Sequence, residues 1–193
     1  MNHTLTQQRV QRICTDGMLV ALYFVLTTFF SLRMGNLRIT FASLIVIVAT
    51  LLFSTLDACL IAMLGELLNQ VLQYGLTVTT PMWLVPPAIR ALVLGLFFYV
   101  ARKFGIFSPA RKPVLMYAAC ITAALCTTFA NTLATYIDSK LFHYYSFAYV
   151  FGDLLLRIGT GVLTAVIMAT IAMPLVTLLR PVFSKRKATS TQS

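Results

Sequence analysis

The sequence predicts an all-α integral membrane protein, a bundle of six transmembrane helices around an outward-facing binding cavity. Three observations carry that prediction. The 193 residues are 59% hydrophobic and only 10% charged, with a mean hydropathy of +0.87. They divide into six apolar windows joined by short connections, each near the roughly 20 residues that a span requires. Polar side chains recur at helical spacing in one half only of several windows, the pattern of a cup with a sealed floor. With no polar stretch long enough for a separate lobe, a single membrane domain is expected over 1–193, with a cytoplasmic N-terminus at 1–12, spans within 13–180 and a cytoplasmic basic tail at 181–193.

The first window, 13–32, is long, lacks an Ala-x-Ala exit and leads straight into another apolar run, so it is expected to be a retained span rather than a signal peptide. Gly17-x-x-x-Ala21 gives it a smooth small-residue face suited to close helix approach. The second window, 37–53, opens with Arg38, Thr40 and Ser43. The third, 56–74, starts after Ser54 and Asp57, which fit a capping box and give Asp57 a helix-start role. Ala58-x-x-x-Ala62 follows, and then Glu66, Asn69, Gln70 and Gln73 at i, i+3, i+4 and i+7 on one face.

Pro86-Pro87 is expected to open the fourth window, 86–100, which puts Arg90 in its first turn. Ala91-x-x-x-Gly95 lies beyond it. The fifth window, 113–137, carries a stripe of Thr128, Asn131, Thr135 and Asp138 towards its end. The sixth, 147–179, begins with Asp153, Arg157, Thr160 and Thr164 and continues through Gly161-x-x-x-Ala165-x-x-x-Ala169. Cys14, Cys59, Cys120 and Cys126 all fall inside windows without zinc-site spacing, as small packing residues do.

Ten of the fifteen basic residues flank one side: Arg9, Arg12, Arg102, Lys103, Arg111, Lys112, Arg180, Lys185, Arg186 and Lys187. The positive-inside rule therefore places both termini in the cytoplasm, in agreement with an even number of spans. In that orientation the ends of spans three and five and the start of span six are all external, so their polar stripes reach the same face. The formal charge of +10 is explained by topology and contact with an anionic bilayer, and no aromatic-interleaved basic patch points to nucleic acid.

Arg38, Arg90 and Arg157 offer planar donor forks suited to a carboxylate. Asn69, Gln70, Gln73 and Asn131 present donors and acceptors together, as the edge of a heterocycle requires, and Thr135 lies on the same stripe as Asn131. Two structural alternatives stand beside this. Asp153 and Arg157, spaced i, i+4, can neutralise each other, and Glu66 can pair with Arg90 across the bundle. The connection from Tyr74 to Trp83 is expected to be the longest external loop and a lid over the cup. The segment 141–147 is aromatic-rich, with Tyr144 and Tyr145 as either stacking or interfacial residues and His143 as an exposed loop histidine.

An intramembrane enzyme using Glu66, Asp153 and His143 as acid–base groups is the competing class, but there is no H-E-x-x-H pair or nucleophile elbow. A pore is a poorer fit, since it needs polar lining along its whole length. No phosphate-binding G-x-x-x-x-G-K-[ST] loop is present and no cofactor is expected, so ATP-driven work would have to come from a partner.

The six-span layout, the small pair Gly17 and Ala21, Asn36-Leu-Arg-Ile-Thr-Phe41, the amphipathic third span and Pro86-Pro87-Ala-Ile-Arg-Ala-Leu-Val-Leu-Gly95 resemble the substrate-binding S-components of energy-coupling factor (ECF) vitamin transporters. The Leu-Arg-Ile-Thr-Phe run is most similar to the folate-type branch. The resemblance implies a bacterial plasma-membrane subunit that binds a vitamin-like small molecule and works with a membrane coupling protein, the T-component, and two cytoplasmic ATPases. Folate is the first ligand it implies; a queuosine precursor, pantothenate or another nucleobase-like compound also suits arginines and amides. It further implies that Gly17 and Ala21 dock the coupling protein while the loaded subunit topples in the membrane. Glycine at position 17 departs from the alanine pair usual in the family.

Overall fold

The computed structural model describes the backbone at 2–34, 37–105 and 112–189 and the side chains at 10–31, 40–105 and 112–181. Of the residues singled out above, Asn36 and Arg111 lie outside the described residues, as do the side chains of Arg9, Arg38, Lys185, Arg186 and Lys187.

The elements run α1 (Asn2–Thr28), β1 (Ser31–Met34), β2 (Leu37–Thr40), α2 (Ala42–Leu52), α3 (Thr55–Tyr74), α4 (Thr80–Lys103), α5 (Pro113–Leu141), α6 (Phe147–Phe151) and α7 (Leu154–Thr189). A helical membrane bundle results, in which, among the described residues, five segments are long and apolar enough to cross a bilayer: Val10–Thr28, Thr55–Tyr74, Thr80–Lys103, Pro113–Leu141 and Phe147–Pro181.

The expected second span is different. Its first residues, Leu37–Thr40, pair antiparallel with β1, with Ser31 opposite Thr40 and Arg33 opposite Arg38. That leaves α2 with 11 residues, about 16 Å of helix at 1.5 Å per residue, short of a hydrocarbon core of roughly 30 Å. Residues from Ala42 to Thr50 are nearly all buried, and α2 touches α1, α3, α4 and α7. A helix that is apolar all round belongs in the centre of a bundle, and this is where α2 lies.

Ser54 caps α3, its hydroxyl accepting from the Asp57 N–H at 3.2 Å. The Asp57 carboxylate turns to Arg12 on α1 instead, with both oxygens 2.5 and 2.6 Å from one guanidinium nitrogen. The expected start of span four is corrected as well. Helix α4 begins at Thr80 with Pro81 in its first turn, and Pro86 and Pro87 lie inside it. The connection between α3 and α4 is therefore only 75–79, and Trp83 stands on a helix rather than in a lid loop.

Small residues set the seams. A Cβ at Gly65 would come within 2.4 Å of the Tyr23 ring, and one at Gly95 within 2.1 Å of Thr55, so α3 packs closely on both α1 and α4 through these glycines. Ala58, Ala62, Ala91 and Ala169 are fully buried. Together with Ile61, Leu94, Phe98, Met116 and Met168 they form the apolar core. The small pair on α1 is the contrast, because Gly17 and Ala21 are both exposed.

Candidate functional site

A cavity of about 760 Å³ opens among α1, α2, α3, α4, α5 and α7. Its walls use the last turns of α3 (Glu66, Gln70, Tyr74), the first half of α4 (Trp83, Pro86, Arg90), the second half of α5 (Asn131, Thr135, Asp138) and the start of α7 (Arg157, Thr160, Thr164). Its floor is Ile47, Leu94, Cys120, Ala123, Ala165 and Met168. All six floor residues also belong to the apolar core, so the cavity is polar at one end and closed by packed hydrocarbon at the other.

Helical period accounts for this arrangement on α5, where Thr128, Asn131, Thr135 and Asp138 all reach the cavity. On α7, Arg157, Thr160 and Thr164 line it and Asp153 does not. Asp153 precedes the helix and meets Arg157 through the backbone, its carbonyl accepting from the Arg157 N–H at 2.9 Å. The ion pair that stood as the structural alternative for their side chains is absent among the described residues.

The third stripe divides. Glu66 and Gln70 line the cavity, whereas Asn69 and Gln73 stand outside its lining. Asn69 is completely buried, and its amide donates to Glu66 Oε1 at 3.0 Å; Gln70 Nε2 donates to the same oxygen at 3.0 Å. Asn69, three residues on from Glu66 and so its neighbour along the helix, thus bonds that carboxylate from a buried position beside the lining. The Tyr23 hydroxyl reaches Glu66 Oε2 at 3.5 Å. Arg90 makes its hydrogen bond to Thr127, from Nε to Oγ1 at 3.3 Å, not to Glu66. Arg157 Nε is buried and has no hydrogen-bond partner among the described residues.

The rim is aromatic. Tyr144 lines the cavity, donates to the Asp138 carboxylate and packs edge-on against Tyr149 with ring centroids 5.6 Å apart. Burial pushes the Tyr144 hydroxyl well above the usual tyrosine range, and the bond to Asp138 adds to that shift, so the group remains a donor. Tyr145 stays out of the lining and holds Lys140 over its ring at 4.4 Å. His143 is exposed, as expected. Tyr23 and Thr27 of α1 and Tyr149 of α6 line the cavity without having been singled out from sequence. Tyr23 and Thr27 were detectable in principle, as an i, i+4 polar pair in an otherwise apolar span.

At the other end of the bundle, Gly17 has nothing within 4 Å of the Cβ it lacks. Only 11% of the α1 span is buried, against 28–33% in the other four. Ile13 and Met18 stand more than two-thirds exposed beside it. No group of three or more His, Cys, Asp or Glu side chains that could hold a metal is found among the described residues.

A family model described as ECF transporter, substrate-specific component, matches residues 11–180. Comparison with curated proteins gives no match.

Proposed function

The chain belongs to the substrate-specific components of ECF transporters, and from that membership we propose that it captures a vitamin-like heterocyclic micronutrient, with folate as the first candidate, from outside the cell for ATP-driven uptake. The observation that carries this reading is the one-ended cavity, whose polar walls stand over a floor of packed hydrocarbon. A binding subunit needs such a pocket, and a conduit would need a polar path throughout. The family is one of transport components rather than of enzymes.

In this proposal Glu66, Gln70, Arg90, Asn131, Thr135 and Arg157 hold the ligand, with Arg38 as a further candidate, while Tyr74, Trp83 and Tyr144 close over it. Asn69 fixes the Glu66 carboxylate rather than touching the ligand. Gly17 and Ala21 dock a membrane coupling component that is energised by two cytoplasmic ATPases. The support for that face is its exposure, since the other small-residue seams are already filled by this chain's own helices.

Reconstitution in liposomes with the coupling component and ATPases tests both halves. ATP-dependent accumulation of labelled folate is expected with the complete set and none with this chain alone. Ala21→Trp is expected to abolish accumulation while leaving ligand binding within about twofold. Accumulation without partners, or undiminished uptake by Ala21→Trp, would overturn the reading.

A further inference from the structure

Taking the cavity as the ligand site, as the preceding section does, we infer that its ligand must carry an oxyanion and that Arg157 is the residue that selects for it. Among the described residues, four charged side chains face the space, two of each sign: Glu66, Asp138, Arg90 and Arg157. The two carboxylates are already supplied with donors from this chain. Glu66 accepts from Asn69 and Gln70 on one oxygen and faces the Tyr23 hydroxyl with the other. Asp138 accepts from Tyr144.

The two guanidinium groups have no comparable supply of acceptors. Among the described residues, the hydrogen bond of Arg90 goes to the neutral hydroxyl of Thr127, which itself donates to the Ala123 carbonyl at 2.6 Å. Arg157 keeps a buried Nε that finds no acceptor among the described residues. Neither lies within ion-pair distance of a described carboxylate. A buried donor left unsatisfied costs about 1–3 kcal/mol, more when it is charged, and a single orphaned charge in an apolar surround costs more again. A ligand acceptor removes that penalty.

The neighbouring hydroxyls do not compete for the role of donor. Thr160 and Thr164 spend their protons on helix carbonyls, at 2.8 Å to Leu156 and 2.7 Å to Thr160, and Thr135 donates to the Asn131 carbonyl at 2.9 Å. A cationic ligand would meet both arginines as repelling charges, and acids that already accept hydrogen bonds from this chain. An oxyanion finds two planar forks, which suit a carboxylate or a phosphate alike.

Trp83 is the only tryptophan in the chain, and it lines the cavity, so its fluorescence reports occupancy without a label. The full-length protein in detergent is titrated with benzoate, phenyl phosphate and benzamide, three probes that share a ring and differ in the head group. Saturation by benzoate or phenyl phosphate at least tenfold tighter than by benzamide is expected, and the tighter of the two anions identifies the head group. Arg157→Gln should weaken binding of both anions at least tenfold and remove that preference, and a thermal midpoint in detergent close to that of the unsubstituted protein shows that the variant is folded. Equal binding of benzamide, saturation by neither anion, or a preference that survives Arg157→Gln would overturn the inference. A chain that passes this test but fails to support uptake would leave the oxyanion site standing and remove only the transport reading.

Discussion

Arg12 and Asp57 join α1 to α3 at the end of the bundle opposite the cavity, in a bridge of 2.5 Å whose acid is nearly buried and whose base is 57% exposed. The same turn shows two side chains sharing work that sequence spacing assigns to one motif. Ser54 caps the helix, and Asp57 contributes its backbone N–H to that cap while its carboxylate leaves for α1. Ser54→Ala should therefore lower stability by about 1 kcal/mol, the usual worth of an N-cap hydroxyl, read as a lower thermal midpoint in detergent. An unchanged midpoint would mean that Arg12 and Asp57 hold the helix start alone. At this scale the sequence was informative wherever a residue's direction follows from helical period, as for Asn131 and Arg157. It was silent on partners: spacing could not tell that Arg90 would turn to Thr127, or that Asn69 would serve Glu66 from inside a seam.

The elements divide by how strongly their ends are marked. Helix α5 follows its periodicity for its whole length and delivers its stripe intact to the cavity. Helix α4 was misjudged because Pro86 and Pro87 imitate a start signal, whereas the real start is a threonine cluster: the Thr77 N–H donates to Thr80 Oγ1 at 2.9 Å, and Pro81 follows. Inside α4 those prolines lack the N–H groups that would otherwise meet the carbonyls of Met82 and Trp83, so the helix is weakened beside the cavity. The hairpin was hidden because Leu37 to Thr40 alternates apolar and polar for four residues only, too short a signal beside a long apolar run. The end of α5 carries its own prediction. His143 has φ 60°, a left-handed conformation unfavourable for a side chain with a Cβ, and it is exposed. His143→Gly should raise stability by on the order of 0.5 kcal/mol, seen in chemical denaturation; a loss of stability would show that the imidazole makes a contact that matters.

For the molecule as a whole, the separation of a polar end from a packed end was legible from the sequence because it is a property of several helices at once. Each stripe alone is ambiguous, yet antiparallel neighbours must bring the end of α3, the start of α4, the end of α5 and the start of α7 to one side, and the cavity lies there. The short α2 was not legible as a plug, since hydropathy cannot distinguish burial in protein from burial in lipid. Which side of the membrane the cavity faces rests on the basic residues of the termini and of the α4–α5 connection. The central claim is thus that the cavity opens to the exterior and is sealed towards the cytoplasm. It is tested most directly by thiol accessibility in a background with Cys14, Cys59, Cys120 and Cys126 replaced by alanine, carrying Asn131→Cys in the cavity wall. A membrane-impermeant maleimide should label this variant in right-side-out vesicles and leave it unlabelled in inside-out vesicles. Labelling from the cytoplasmic side, or equally from both, would contradict the account.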